Sequence, residues 1–94
     1  MRTNAYHFWS PTCQPCQVIK PAIEDLKEEF ANVQWVSVNT HADPAGLTKK
    51  YGVMSVPTIV VETINDQGSP VLVEKHSGTV MMGYYRILRN SMKQ

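Results

Sequence analysis

The chain has 94 residues, enough for one domain with a single core and too few for a second module. Charged residues make up 18% and the formal net charge is +1, so the basic excess that binds phosphate is missing and we expect no nucleic acid partner. Residues 1–5 carry no signal-peptide pattern, and no stretch approaches the ~18 apolar residues of a membrane span. We therefore expect a single cytoplasmic domain, 1–94, with no membrane contact.

The first half of the chain predicts a strand, a helix and a second strand. Residues 4–9 are a short apolar run that ends at Ser10-Pro11, which is typical of a buried strand. From Cys13 to about Phe30 apolar residues recur at helical spacing, and residues 33–39 alternate in strand fashion. A strand, helix and strand in this order predict a parallel crossover.

The second half predicts a short helix, a hairpin and a final helix. Asp43 is expected as an N-cap with Pro44 at the first helical position, in a helix that ends at Tyr51-Gly52. Residues 58–64 and 71–75 are expected to pair as a hairpin, and residues 79–92 to form the last helix. Its buried face is expected to carry Met81, Tyr84 or Tyr85, Leu88 and Met92. The order βαβαββα predicts an α/β fold with a four-stranded mixed sheet flanked by helices on both faces.

The two cysteines stand where the first strand gives way to the first helix, as Cys13-Gln14-Pro15-Cys16. Three residues apart in a first helical turn, their Cα atoms are expected at about 5 Å, within the range that a disulfide needs. A ring of about four residues would stabilise the fold by only ~2 kcal/mol. The pair therefore indicates redox chemistry. A structural pair and a zinc site that recruits His7, His41 or His76 are the alternatives, although no histidine has zinc-finger spacing.

Two segments resemble the signature segments of the thioredoxin family: FWSPTCQPC at residues 8–16, followed by Pro21, and YGVMSVPT at residues 51–58. The resemblance covers nearly the whole chain and implies a thioredoxin fold. It also implies roles for individual residues. Cys13 would be the exposed nucleophile and Cys16 the buried resolving thiol. The substrate-binding residues would be Trp9, Thr12, Val56, the cis-proline Pro57 and Gly78.

Three departures from the family pattern stand out. The usual strand and helix before the active-site strand have no counterpart before Asn4, so the strand at residues 33–38 is expected at an exposed edge, where it invites self-association. His7 replaces the family's buried acid and is the candidate proton acceptor, and no lysine is found at the place of that acid's usual partner. Thr12 and Gln14 replace the usual tryptophan and glycine, which is expected to change partner preference and redox poise.

The expected function is thiol–disulfide exchange. The Cys13 thiolate, favoured at the start of a helix, would attack a disulfide of a client protein, and Cys16 would resolve the mixed disulfide. No cofactor or metal is expected in the chain itself, and a thioredoxin reductase-like enzyme or the glutathione system would recycle the pair. Two alternatives remain: a glutaredoxin-like electron donor, and a thioredoxin-fold binding subunit whose cysteines are dispensable.

Overall fold

The structure, a computed structural model, describes all residues, 1–94. Seven elements occur in the predicted order βαβαββα. They are β1 (Arg2–Trp9), α1 (Gln14–Glu29), β2 (Gln34–Asn39), α2 (Leu47–Lys50), β3 (Thr58–Ile64), β4 (Pro70–Ser77) and α3 (Met81–Met92). None of these helices is long and apolar enough to cross a membrane.

The strands form one four-stranded sheet in the order β2-β1-β3-β4. β1 pairs with β2 in parallel, whereas the β1–β3 and β3–β4 pairs are antiparallel. The predicted mixed sheet is confirmed. Strand β2 lies at one edge, as the sequence indicated, and β4 lies at the other.

Helices cover both faces of the sheet, but unequally. Helices α1 and α3 share one face with a cluster of eleven buried residues that includes Ile23 and Leu26 of α1 and Tyr84 and Leu88 of α3. The short α2 and the loop after it lie on the other face, where Phe8, Val38 and Val60 form a small hydrophobic cluster. The α/β architecture with helices on both faces is confirmed.

Helix α2 begins later than predicted. Asp43 is not its N-cap: Gly46 is, in the left-handed conformation with φ +68°, and Pro44 lies before the helix. The Asp43 carboxylate still accepts hydrogen bonds from the backbone N–H groups of Leu47 and Thr48, at 3.2 and 2.8 Å. The carboxylate therefore satisfies the first free N–H groups across an intervening turn, and the helix starts only at Leu47.

The buried face of α3 also differs in part from the prediction. Tyr84 and Leu88 are fully buried, and Ile87, which we had not assigned to this face, is 1% exposed. Met92 is 41% exposed, because it stands at the last residue of the helix and beyond the sheet contacts of Leu88. The helix begins at Met81, so residues 79–80 belong to the turn that starts at Gly78.

Candidate redox site

The two cysteines form a disulfide at the amino-terminal end of α1. Cys13 is the extended N-cap residue, and its Sγ accepts a hydrogen bond from the backbone N–H of Cys16 at 3.1 Å. The two Cα atoms are 5.2 Å apart, as the spacing predicted. Once the bond is reduced, the N–H of Cys16 and the positive end of the helix dipole favour a thiolate at Cys13 over a thiol.

The two cysteines are almost equally buried in the disulfide form. Cys13 is 8% exposed and Cys16 is 7% exposed. The expected contrast between an exposed and a buried sulfur is therefore not visible in the exposure of the whole residues, because the bond draws the Cys13 sulfur against the first turn. The surroundings do differ: Thr12 and Gln14 beside Cys13 are exposed, while Cys16 lines a cavity between α1 and the sheet.

Three chain segments meet at the end of the sheet where the disulfide lies. Phe8 pairs with Thr58, and Thr58 pairs with Ser77 on its other side. The residues that follow β1, precede β3 and follow β4 therefore share this end. They include the disulfide loop, the Val56–Pro57 bond, which is cis, and Gly78. The resemblance to the thioredoxin family had implied the cis bond before Pro57, and this bond is present.

Backbone hydrogen bonds join two of these segments. The Gly78 N–H donates to the Pro57 carbonyl at 3.0 Å, and the Tyr84 hydroxyl donates to the carbonyls of Gly78 and Pro57 at 2.5 and 3.3 Å. Gly78 has φ +102°, a conformation that side chains other than glycine rarely adopt. Val56 is half-buried beside this junction.

A cavity of about 210 Å³ lies next to the disulfide, between α1 and the strands β1 and β2. Cys16, His7, Trp9 and Ser37 line it together with three charged side chains of α1: Lys20, Glu24 and Lys27. The Trp9 indole N–H donates to the Ser37 hydroxyl at 2.7 Å, which ties β1 to the edge strand. No group of three or more His, Cys, Asp or Glu side chains is arranged to hold a metal ion.

His7 has an unusual environment in this cavity. Its Nε2 is buried and has no hydrogen-bond partner in the protein. Burial, and to a smaller extent the positive charge of Lys27, lower the pKa of His7 from 6.5 to about 4, against the opposing effect of Glu24. The imidazole is therefore neutral at pH 7, is a weak base, and keeps one lone pair free to accept a hydrogen bond.

The sequence model of the Thioredoxin family matches residues 4–81, which include the disulfide loop, the cis-proline and Gly78. The chain belongs to the thioredoxin family.

Curated relatives and solved structures that are similar to this chain include several thioredoxins. The chain is 40% identical over 57 residues to thioredoxin of Bacillus subtilis and 33% identical over 55 residues to thioredoxin of Pyropia yezoensis, in each case over 57% of this chain. These matches cover 52% and 50% of the two relatives, so the chain spans about half the length of the curated relatives that it matches.

The fold is shared with solved thioredoxins over nearly the whole chain. Fasciola hepatica thioredoxin superposes with a TM-score of 0.77 at 24% identity, covering 96% of this chain and 81% of that one. Trypanosoma brucei brucei thioredoxin gives 0.79 at 20% identity, covering 99% of this chain and 77% of the other. The predicted thioredoxin fold is confirmed.

One expected departure from the thioredoxin pattern is present in the structure. The strand beside β1 carries no lysine at this place, since residue 37, which pairs with His7 in the parallel ladder, is a serine. Lys20 and Lys27 nevertheless line the same cavity, because they project from α1 and not from the sheet. Helical spacing alone does not predict this contact, because it depends on how α1 lies on the sheet.

Two further features of this thioredoxin site could not be predicted from the sequence. Tyr84 was expected only as a packing residue, and no local pattern indicates that its hydroxyl reaches Pro57 and Gly78. No sequence pattern indicates the role of Ser37 either, because its hydrogen bond from Trp9 depends on how β1 and β2 are aligned. Trp9, which the resemblance implies as a substrate-binding residue, is half-buried and lines the cavity.

Proposed function

We propose that this chain reduces disulfides of client proteins through a reversible Cys13–Cys16 couple. The observation that carries the proposal is the disulfide itself, at the start of α1 and at the same end of the sheet as the cis Val56–Pro57 bond and Gly78. Membership of the thioredoxin family supports the same chemistry. An extended client segment would lie along Val56 and Gly78, with Trp9 and Thr12 at the rim.

The proposed reaction runs in two exchange steps. The Cys13 thiolate attacks one sulfur of the client disulfide, so that a mixed disulfide forms and the second client sulfur leaves as a thiolate. Cys16 then loses its proton and attacks the Cys13 sulfur, which releases the first client sulfur. The client gains two electrons and two protons, and the protein is left as the Cys13–Cys16 disulfide. An external dithiol or reductase must reduce it before the next turnover.

His7 is proposed as the acceptor of the Cys16 proton, although its pKa of about 4 makes the imidazole a weak base for a thiol, so it would hold the proton only while Cys16 attacks the mixed disulfide. Both residues line the same cavity, and the free Nε2 of His7 has no competing partner. Lys20 and Lys27 at the cavity wall would help to stabilise the thiolate that forms. We expect His7→Ala to slow release of the mixed disulfide more than its formation between pH 6 and 9. Equal rates for variant and wild type in both steps would show that His7 only fills space.

Trapping tests the proposed activity. Cys16→Ser leaves the nucleophile but removes the resolving thiol, so mixed disulfides with client proteins should accumulate and should disappear on addition of dithiothreitol. Cys13→Ser is the matched control and should trap none. A Cys16→Ser protein that traps no more than the Cys13→Ser control, with a protein disulfide such as that of insulin present, would contradict the proposal.

The direction of the reaction and the recycling partner need a redox titration. A reductase should have a reduction potential near that of glutathione or more negative. A reduction potential well above that of glutathione would instead indicate an oxidase. We propose that a thioredoxin reductase-like enzyme recycles the couple in a reducing compartment such as the cytoplasm. Recycling by glutathione alone would instead support the glutaredoxin-like alternative.

The binding-subunit alternative is supported by strand β2. This edge strand, QWVSVN, contains no charged residue and no proline, whereas the opposite edge β4 begins at Pro70 and carries Glu74 and Lys75. Uncharged edges are prone to pair with another strand. If the protein works by binding alone, or by self-association through β2, the double Cys13→Ser, Cys16→Ser variant should retain the activity of the partner or the oligomeric state.

A further inference from the structure

The Tyr84 side chain connects helix α3 to the two segments that form the proposed client groove. The residue is 0% exposed, and its hydroxyl is the only side-chain donor to the carbonyls of Pro57 and Gly78. A phenol has one proton, so the two carbonyls share it, with Gly78 at the shorter distance. The Gly78 N–H closes the junction by donating to Pro57 at 3.0 Å.

The ring of Tyr84 is held in place from the opposite side by His76. The two rings meet edge to face with centroids 4.7 Å apart, and His76 Nε2 lies 3.0 Å from the Val80 carbonyl. Gly83 makes this contact feasible, because a Cβ on that residue would collide with the His76 ring. The Tyr84 ring therefore has little freedom to move the hydroxyl away from the two carbonyls.

Burial strengthens this arrangement. The hydroxyl has no water-accessible surface through which to exchange its partners, and burial raises the pKa of Tyr84 to about 12. The phenol therefore remains a proton donor throughout the pH range in which thiol–disulfide exchange is measured. If it were removed, the Gly78 carbonyl would lose the only side-chain donor that reaches it.

We propose that Tyr84 is a positioning residue that sets the separation of the Val56–Pro57 segment from Gly78, so that an extended client chain meets a preformed groove. This inference rests on the proposed function, because the groove matters only if clients bind there. A preformed groove lowers the ordering cost of client binding. The effect should therefore be seen in the KM for protein clients and not in the chemistry at the disulfide.

The test is Tyr84→Phe, which keeps the ring and removes the hydroxyl, assayed with insulin and with the small disulfide 5,5′-dithiobis(2-nitrobenzoate). We expect the KM for insulin to rise roughly three- to tenfold, the effect of one lost hydrogen bond, with kcat unchanged. Turnover of the small disulfide should stay within about twofold, because it has no extended backbone to dock. Tyr51→Phe, which removes the hydrogen-bonding hydroxyl of a half-buried tyrosine on the other face of the sheet, is the matched control and should leave both substrates unaffected.

The outcomes are distinguishable. An insulin KM for Tyr84→Phe equal to that of the wild type, or an equal loss with both substrates, overturns the inference and leaves the proposed function standing. A wild-type protein that reduces neither substrate overturns both. If Tyr84→Phe is too unstable to assay, His76→Ala gives the second measurement. It loosens the ring but keeps the hydroxyl, and a smaller rise of the insulin KM alone is expected, whereas no rise would contradict the proposal.

Discussion

The two faces of the sheet are packed to very different depths. The face covered by α1 and α3, the deep face, has a hydrophobic cluster of eleven buried residues, and the face that carries α2, the thin face, has a hydrophobic cluster of three. The disulfide and the cavity of His7 belong to the deep face. Val56, which precedes the cis-proline, packs against the small cluster on the thin face. The disulfide therefore lies on the deep face, and Val56, which forms one wall of the proposed groove, packs on the thin face. Tyr84 connects the two faces through its hydrogen bonds to Pro57 and Gly78.

The largest expected effect comes from two neighbouring valines of β3 that point to opposite faces. Val61 belongs to the large cluster and Val60 to the small one, and both are at most 2% exposed. A cavity costs more where the surroundings cannot collapse into it. We expect Val61→Ala to lower the free energy of unfolding by about 3 kcal/mol and Val60→Ala by about 1.5 kcal/mol. Urea unfolding of the oxidised proteins measures both, and equal losses would show that the two faces are equally rigid.

The second prediction concerns His7, whose Nε2 is buried on the deep face without a hydrogen-bond partner. The pKa of about 4 in the folded state lies below the ordinary value of 6.5 that applies to the unfolded chain. Above pH 6.5 both states are neutral and His7 contributes nothing. As the pH falls from 6.5 towards 4, only the unfolded chain takes up the proton, so stability falls by up to about 1.4 kcal/mol per pH unit.

Urea unfolding at pH 7 and pH 5 tests this sign. His7→Gln should lose less stability than the wild type between these two values, by roughly 1 to 2 kcal/mol. His41→Gln, at an exposed position before α2, should keep the full wild-type difference. If His7→Gln and the wild type lose the same stability between pH 7 and pH 5, the cavity must solvate the imidazolium well, and burial would not lower the pKa of His7.

The sequence was most informative about local features and about the positions that carry the family motif. The element order and the Cys13–Cys16 pair at a helix start follow from residue types at short spacing, whereas the cis bond before Pro57 follows from the resemblance to the thioredoxin family. The predicted start of α2 was wrong because the N-cap is the left-handed Gly46, while the Asp43 carboxylate accepts from the N–H groups of Leu47 and Thr48 across the intervening turn. Helical periodicity could not show that Lys27 faces His7, since this depends on how α1 lies on the sheet. The reach of Tyr84 to Pro57 depends likewise on tertiary packing.

The smallest expected effect concerns a polar contact on the thin face. The Tyr51 hydroxyl donates to Glu62 Oε2 at 2.9 Å, while the Tyr6 hydroxyl reaches the same oxygen only at 3.5 Å. Glu62 is 8% exposed, and burial is the main cause that raises the pKa of Tyr51. Tyr51→Phe leaves that carboxylate with one long hydrogen bond, so we expect a loss of about 1 kcal/mol in the free energy of unfolding.

Tyr85→Phe is the matched control for this last prediction. Tyr85 is half-buried on α3, its ring packs on Phe30, and its hydroxyl has no hydrogen bond within the protein. Its removal should change stability by less than about 0.5 kcal/mol. If Tyr51→Phe lowers the free energy of unfolding as little as Tyr85→Phe does, water must replace the lost Tyr51 donor at Glu62. The thin face would then be hydrated as well as shallow, and the difference between the two faces would be larger than the buried clusters alone indicate.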